Sequence, residues 1–310
     1  MVSIEKIKRE GTTYFYVSKN FRVGLNRWKK IRKYVGKEEP TKTQISRIAE
    51  EIENEAKENG LIKHHSKYAH LTDHEAEVIE DIKDQFKQLI LKLPREAASK
   101  YIEDFLIRFT YNSNAIEGNR LSMRDTHLIL QQNIMPQDAT SYEYHEVINT
   151  KKCMEFIRIY KGEINNKFLL KVHKLLTENT SVQLSGVYRN HNVIITGSTH
   201  RPPDPKELKK LMKKFFVWYN NSKDRFHPLE LACLVHTELT RIHPFSDGNG
   251  RTARIISNFI LYKNDYPMFF VDVNDRRKYY DALDESDKGN ERVFVKFVFN
   301  NIIEQLKGKM

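Results

Sequence analysis

The chain has 310 residues, of which 39% are hydrophobic and 30% charged, so it can hold one large soluble domain or two smaller ones. No apolar run approaches the ~20 residues of a membrane-spanning helix, and no membrane partner is therefore expected. The charged start, MVSIEKIKRE, lacks the apolar core of a secretory signal, which favours a cytoplasmic location. The two cysteines, Cys153 and Cys233, lie in apolar helical patterns and are expected to be buried and reduced.

The positive charge is concentrated at the start of the chain. Residues 1–47 contain 13 Lys or Arg against four Glu, which accounts for +9 of the net charge of +11. Such a block is attracted to phosphate backbones or to acidic partners. It can equally be a solvated surface, so a nucleic-acid partner, an acidic partner and no partner all stay open for residues 1–47.

Alternating apolar residues predict a small β-hairpin over residues 11–36, with Tyr14 and Tyr16 among polar neighbours and glycines available for turns. Residues 1–40 are therefore interpreted as a basic β-hairpin arm. Ile45, Ile48 and Ile52 then recur at helical spacing, which predicts an amphipathic helix from Thr41 to residue 59. Residues 41–71 are interpreted as this helix and a linker.

Residues 72–310 are predicted to form successive helices. The first begins at Thr72, which forms a capping box with Glu75, and breaks are expected near prolines, near glycines and at residues 243–250. Residues 190–203 alone interrupt this pattern, because they alternate and are rich in β-branched residues. A short hairpin fits them best, with an ordinary surface connection as the alternative.

The segment from Asp247 to Gly250 predicts a phosphate-binding loop. A buried helix over residues 227–242 delivers His243 at its C-terminal end, and Pro244 then stops the helix. Asp-Gly-Asn-Gly follows and leads directly into a new helical pattern. A glycine-rich turn at a helix N-terminus exposes several backbone N–H groups, and the helix dipole there favours an anion.

The side chains around this loop extend the prediction. Arg251 and Arg254 are three residues apart on the new helix, so both could meet the oxygens of a polyphosphate. Asp247 is a hard oxygen ligand suited to Mg²⁺, and His243 can accept a proton from a hydroxyl at neutral pH. Each residue alone has an ordinary structural explanation, but together they describe attack by a hydroxyl on a metal-bound nucleotide phosphate.

The string HPFSDGNGRTAR, residues 243–254, resembles the Fic-family signature His-x-Phe-x-Asp/Glu-Gly-Asn-Gly-Arg-x-x-Arg without departure. The segment before it, the turn at residues 186–189 and the Tyr279-Tyr280 pair are also similar to the family. The resemblance covers roughly residues 75 to 305. It implies a mainly α fold, a Fic-type helical bundle with a small β-hairpin flap, here preceded by the basic hairpin and helix.

The resemblance implies a protein adenylyltransferase that moves AMP from Mg-ATP to a Tyr, Thr or Ser hydroxyl of a protein, possibly of itself, and that can form a homo-oligomer. His243 would be the base, Asp247 the Mg²⁺ ligand, and the flap at about residues 193–200 would align the protein substrate as an added strand. Many relatives have Asn where Asp287 stands. The implied nucleotide-binding residues are Thr196, Gly197, Ser198, Thr199, His200, Gly248, Asn249, Gly250, Arg251, Thr252, Arg254, Tyr279, Tyr280 and Asp287.

A second resemblance lies upstream, at the end of a helix predicted over about residues 95–118. Ser113 and Glu117 match the family's inhibitory pattern, Ser/Thr-x-x-x-Glu-Gly/Asn. A carboxylate paired with Arg254 would remove the partner of the γ-phosphate, so ATP would bind unproductively. Two alternatives stay open: Glu117 could orient water for removal of AMP, or the chain could act mainly as a nucleic-acid-binding regulator. His236, inside the helix before the loop, is expected to be structural.

Overall fold

The computed structural model describes residues 3–24, 27–58, 68–180, 185–195, 198 and 200–307. The chain separates into two compact units, Met1–Ser66 and Lys67–Met310.

The first unit contains a three-stranded antiparallel sheet in the order β1-β2-β3, and one helix. Tyr16 pairs with Tyr34 across β2 and β3, which confirms the predicted hairpin. The first strand was missed, because its sequence has only two apolar residues among charged ones. Its connection to β2 turns at Gly11, whose φ of +76° favours glycine. The elements are β1 Ser3–Arg9, β2 Thr12–Gly24, β3 Arg27–Gly36 and α1 Lys42–Glu58.

The core of the first unit lies between one face of the sheet and α1. Val17 and Ile31 from the sheet pack against Ile48, Ile52 and Ala56 of the helix, and all five are buried. Arm and helix therefore form one unit, whereas the sequence suggested separate segments at 1–40 and 41–71. Since successive strand side chains point to opposite faces, the face that carries Tyr14, Tyr16, Lys30, Arg32 and Tyr34 is turned away from the helix.

The regular elements described in the second unit are all helices, which confirms the predicted mainly α class. The capping box at Thr72 is present: its side chain accepts from the N–H of Glu75, and the Glu75 side chain accepts from the N–H of Thr72. Two 3₁₀ turns, Pro205–Glu207 and Val273–Asp275, precede helices. The helices are α2 Asp73–Lys92, α3 Arg95–Ile116, α4 Met123–Gln132, α5 Ser141–Ile159, α6 Asn166–Thr177, α7 Leu208–Ser222, α8 Pro228–Ile242, α9 Asn249–Lys263, α10 Arg276–Asp287 and α11 Glu291–Leu306.

Helices α8 and α9 form the centre of the second unit, and most residues of both are buried. They approach closely enough for the hydroxyl of Ser257 to donate to the carbonyl of Ala232 at 2.9 Å. The predicted helix over residues 227–242 is thus confirmed, with His227 as its N-cap. Because both ends of the intervening loop are anchored in this core, the loop has little freedom to move.

The predicted hairpin over residues 190–203 is not formed by the residues that the structure describes there, namely 190–195, 198 and 200–203. The guanidinium of Arg189 instead donates to the carbonyls of His191 and Pro203 at 2.9 and 2.7 Å. The side chain of Arg189 therefore links the two ends of the segment, whereas the prediction had two paired strands there. The predicted site residues Thr196, Gly197 and Thr199 lie outside the described residues.

Among the described helices, none combines the length and the apolar character needed to cross a bilayer.

Candidate active site

The loop between α8 and α9 is locked by its own side chains. The amide of Asn249 accepts from the backbone N–H of Phe245 and donates to the carbonyl of the same residue, each at 2.9 Å. The Phe245 ring is fully buried and stacks on His173 with centroids 3.7 Å apart. His243 ends α8 with a φ of 49°, a left-handed conformation that is uncommon for a non-glycine residue. The loop thus presents the backbone of residues 248–250 at a helix N-terminus.

His173 of α6 packs against the loop. Its Nδ1 accepts from the N–H of Gly186 at 2.9 Å, so its Nε2 carries the proton and donates to the carbonyl of Asp247 at 3.0 Å. Burial lowers the pKa of His173 to about 4, which keeps this tautomer neutral at physiological pH. Sequence analysis missed His173, because a single histidine on an apolar helix face carries no local signal of its partner.

His243 is held in the form that a general base requires. Its Nδ1 lies 3.2 Å from the carbonyl of Thr240, which can only accept, so Nδ1 carries the proton and Nε2 keeps its lone pair. Burial lowers the pKa of His243 below its ordinary 6.5, and the positive charge of Arg189 acts in the same direction. The hydrogen bond to Thr240 and the negative charge of Glu117 raise this pKa, but they do not offset the lowering by burial. At neutral pH the ring is therefore neutral and able to accept a proton.

His243 borders a cavity of about 330 Å³. One wall is the loop and the start of α9, and a second is the segment that contains Ser198. The third wall is α10, from which the phenol of Tyr280, 36% exposed, faces the opening. The lining residues are Glu117, Ile194, Ile195, Ser198, Thr240, His243, Ser246, Asp247, Gly248, Asn249, Gly250, Arg254, Arg276, Tyr279, Tyr280, Leu283, Asp284 and Asp287.

The guanidinium of Arg254 is buried at the base of this cavity, and each of its nitrogens donates. Nε donates to the hydroxyl of Ser113 at 3.0 Å, and Nη2 donates to the Ser113 carbonyl at 2.8 Å. Nη2 also donates to Oε1 of Glu117 at 2.7 Å, and Nη1 to the phenol of Tyr279 at 3.3 Å. Glu117 caps the C-terminus of α3. The structure thus brings Ser113 and Glu117 onto Arg254.

Arg251 does not line the cavity, although sequence analysis placed both arginines on the phosphates. Its side chain is 2% exposed and pairs with the buried carboxylate of Glu146 on α5 and, at 3.1 Å, with Asp247. Residues three apart on a helix are offset by about 60° around its axis, which lets two long side chains diverge toward different partners. Thr252 is also buried and lies outside the lining.

Asp247 stands at the rim with its side chain 49% exposed. Its Oδ1 accepts from the N–H of Gly248 at 2.6 Å, while Oδ2 accepts from Arg251 and, at 3.4 Å, from the phenol of Tyr142. The part of the chain that the structure describes holds no group of three or more metal-ligating side chains. Mg²⁺ usually takes one or two carboxylates together with substrate phosphates, so a single rim carboxylate fits Mg²⁺ brought in by a nucleotide.

The remaining predicted residues take different positions. Ser198 lines the cavity and donates to Asp284 at 2.9 Å, and Asp287 accepts from Arg241 at 3.2 Å. His200 does not line the cavity, and its Nε2 lies 2.8 Å from the carbonyl oxygen of Arg241. His236 is fully buried beside the phenol of Tyr279, and burial lowers its pKa to about 3, as a structural histidine requires.

Comparison with known proteins agrees with this geometry. Residues 163–261 match the model of the Fic/DOC family. The chain is 33% identical to the protein adenylyltransferase Fic of Nematostella vectensis over 202 residues, which cover 64% of this chain and 47% of the relative. With the protein of the same name from Aedes aegypti it shares 34% identity over 197 residues, 62% of this chain and 39% of the relative. The chain thus matches less than half the length of these relatives.

Solved structures also resemble the fold. A Fic-domain-containing signaling protein from Bacteroides thetaiotaomicron superposes with a TM-score of 0.68 at 27% identity, covering 74% of this chain and 93% of that one. Fic-1 of C. elegans, residues 134–508, superposes with a TM-score of 0.67 at 23% identity, covering 86% and 74%.

Proposed function

We propose that this chain, whose second unit carries a Fic domain, is a protein adenylyltransferase that moves AMP from ATP to a hydroxyl of a protein. The observation that carries the proposal is the neutral His243 facing a cavity whose floor is a helix N-terminus and Arg254. A base for a hydroxyl and a cradle for phosphates thus lie in one cavity. The printed name of the curated relatives supports the same reaction.

In this reaction the oxygen of the target hydroxyl bonds to the α-phosphorus of ATP, and the bond from that phosphorus to the bridging oxygen of the β-phosphate breaks. Pyrophosphate leaves, and the hydroxyl proton passes to Nε2 of His243. The backbone N–H groups of residues 248–250 hold phosphate oxygens, and Arg254 holds the far end of the triphosphate. Asp247 would hold Mg²⁺, which neutralises phosphate charge when bound.

The target segment would lie along the described part of the flap, where Ile194 and Ile195 line the cavity. Ile194 is 74% exposed, and the described part of this segment has no strand partner. An extended peptide could pair with its backbone with little demand on sequence, which would bring a Tyr, Thr or Ser hydroxyl toward His243.

Glu117 would restrain this activity. Its carboxylate pairs with the buried guanidinium of Arg254 and adds negative charge where the triphosphate should enter. Its side chain is 30% exposed, so it can leave Arg254 without unfolding α3. ATP that binds while Glu117 stays in place would lack its γ-phosphate partner.

The test measures label transfer from α-labelled ATP to protein. We expect Glu117→Gly to raise transfer at least about tenfold, since the carboxylate no longer competes for Arg254. Adding His243→Ala to that variant should abolish transfer. Glu103→Gly, at an exposed glutamate of the same helix, is the matched control and should leave transfer at the wild-type level. Unchanged labelling in both Glu117→Gly and the double variant would defeat the proposal.

A second candidate is removal of AMP from a modified protein, because Glu117 lines the cavity and could orient water there. Incubation of a modified target with the wild type and with Glu117→Gly separates the two roles. Release of AMP that survives the substitution would exclude Glu117 as the base for water. Binding of nucleic acid, the third candidate, concerns the first unit.

A further inference from the structure

Helix α7 concentrates positive charge on an exposed face. Its sequence, LKKLMKKFFVWYNNS, has four lysines in the first half and no acidic residue. Lysines near a helix N-terminus oppose the helix dipole, and like charges three or four residues apart repel each other. Glu207 pairs with Lys210 at 3.7 Å, but within the described part of the chain Lys213 and Lys214 have no carboxylate partner. This cluster costs helix stability, so folding alone does not account for it.

Three of these lysines border an open groove of about 960 Å³ in the second unit. The groove follows one stripe of α7, because its helical lining residues, from Lys210 to Ser222, recur at spacings of three and four. Arg225, just beyond the helix, adds a fourth cation to the lysines at 210, 213 and 214. All four are exposed, and none of the described residues that line the groove is acidic. The groove therefore attracts a negatively charged ligand.

The same groove has an apolar part. Val217 is 55% exposed, while Trp218 and Phe226 are half-buried. The ring of Trp218 is tilted against the buried ring of Phe215, with centroids 5.9 Å apart. A single-stranded nucleic acid stacks its bases on free ring faces, and Val217, the most exposed of the three, has none. A peptide with an apolar side chain between carboxylates matches both the cations and this apolar part.

The groove is continuous with the surroundings of the catalytic cavity. Lys214 and Trp218 also line a second hollow of about 500 Å³, together with His200 at the end of the flap. Arg241 lines that hollow too and donates to Asp287 at 3.2 Å, which in turn lines the catalytic cavity. A polypeptide that passes over the flap therefore reaches the α7 groove next.

We propose that the α7 groove binds an acidic segment of the protein substrate, with one apolar side chain packed on Val217 and Trp218. That this partner is the substrate rests on the proposed adenylyltransferase activity. From residue 210 to residue 221 the helix rises about 16 Å, which an extended peptide spans with about five residues. The modified proteins would thus carry a short cluster of Asp and Glu near the modified hydroxyl.

The first measurement is binding to the full chain, without ATP, of a fluorescein-labelled peptide of about ten residues with Glu and Asp on both sides of one Leu. Anisotropy follows binding at about 150 mM salt. Lys213→Gln/Lys214→Gln/Arg225→Gln should weaken binding at least about tenfold, because three charged contacts are lost. Lys213→Arg/Lys214→Arg keeps the charge and should retain binding.

The matched control is Lys167→Gln/Lys171→Gln/Lys174→Gln, which removes the same charge from exposed lysines of α6 and should bind as the wild type does. Val217→Ser should weaken binding of the Leu peptide about threefold and leave that of a peptide with Ser in place of Leu unchanged. Absence of peptide binding, or equal losses in both triple variants, would overturn the proposal. So would a single-stranded DNA of about ten nucleotides that binds as tightly and depends on the same groove residues.

The second measurement is label transfer from α-labelled ATP to two peptides by the Glu117→Gly variant. Both peptides have one Tyr with a matched segment on each side, which contains Glu in one peptide and Gln in the other. We expect kcat/KM to be at least about tenfold higher for the Glu peptide, and this preference to disappear when the groove charges are removed. Equal labelling of both peptides would overturn the inference and leave the proposed function standing. Labelling of neither, with binding intact, would count against the proposed function alone.

Discussion

The sheet of the first unit and helix α9 of the second unit both carry cations, but in opposite environments. Lys30 and Arg32 have about half of their side chains exposed, at 48% and 45%, and share one carboxylate, Glu5. Arg251 and Arg254 are each 2% exposed and have several fixed partners. Exposed cations attract a charged partner from a distance, and salt screens this attraction. Buried cations are screened much less, and their partners are held in fixed positions.

The exposure of the carboxylate distinguishes two kinds of buried pair. Glu146, which neutralises Arg251, is 3% exposed and also accepts from Asn119 at 2.8 Å, so it is a permanent counter-ion. Glu117, which neutralises Arg254, is 30% exposed and borders the cavity. In the proposed reaction a triphosphate would therefore replace Glu117 and not Glu146.

The largest effect should come from breaking the permanent pair. Glu146→Gln removes the buried carboxylate of Arg251 and leaves its guanidinium paired with the half-exposed Asp247, and loss of one partner of a buried pair costs about 3 kcal/mol of unfolding free energy. Denaturant unfolding followed by helical circular dichroism measures this loss. Glu155→Gln, at an exposed position of the same helix, should change stability by less than about 0.5 kcal/mol. A cost below about 1 kcal/mol in Glu146→Gln would contradict the comparison.

Burial should also set the protonation of His243, the proposed base. The pKa of His243 is lowered below 6.5, and only the neutral ring accepts a proton, so activity should be flat above that value. As pH falls through the lowered pKa, the rate of transfer should drop about tenfold per pH unit. The pH profile of kcat/KM across about pH 5 to 8 measures it.

Glu117 raises the pKa of His243 through its charge. In Glu117→Gly the acid limb should therefore move to still lower pH. A limb with its midpoint above 6.5, or one that moves upward in the variant, would show that desolvation does not control this histidine.

The smallest effect is expected at the exposed pair. Glu5→Gln removes the carboxylate shared by Lys30 and Arg32, yet exposed ion pairs contribute less than about 1 kcal/mol because water screens them. Denaturant unfolding followed by circular dichroism measures this change. A loss of unfolding free energy as large as that of Glu146→Gln would contradict the distinction between the exposed and the buried ion pairs.

Periodic patterns and local motifs were enough to predict the helices, the hairpin of the first unit and the catalytic loop. The capping box at Thr72 and the buried helix before His243 could be predicted because their signals lie within a few residues. The loop could be interpreted because its backbone and side-chain chemistry are adjacent in sequence.

Contacts between distant helices had no such signal. Glu146 lies on α5, far in sequence from Arg251, and nothing in its own helix marks it as a counter-ion. Likewise Glu230 of α8, fully buried, accepts from the backbone N–H groups of residues 69–71, a role that only the folded chain shows. A hairpin was predicted at residues 190–203 because β-branched residues favour extended backbone. An extended backbone, however, forms a sheet only when a partner strand is present.

Gly250 has a consequence for how the restraint on this protein could be lost. A Cβ at that position would come within 2.5 Å of the Glu117 carboxylate and 3.1 Å of the Arg254 guanidinium. The absence of a side chain at Gly250 therefore makes room for Glu117, in addition to opening the loop to phosphate. A single methyl group added here would evict Glu117 while leaving α3 unchanged. The proposed restraint thus depends on two separate codons, because a one-base change at either could break the contact between Glu117 and Arg254.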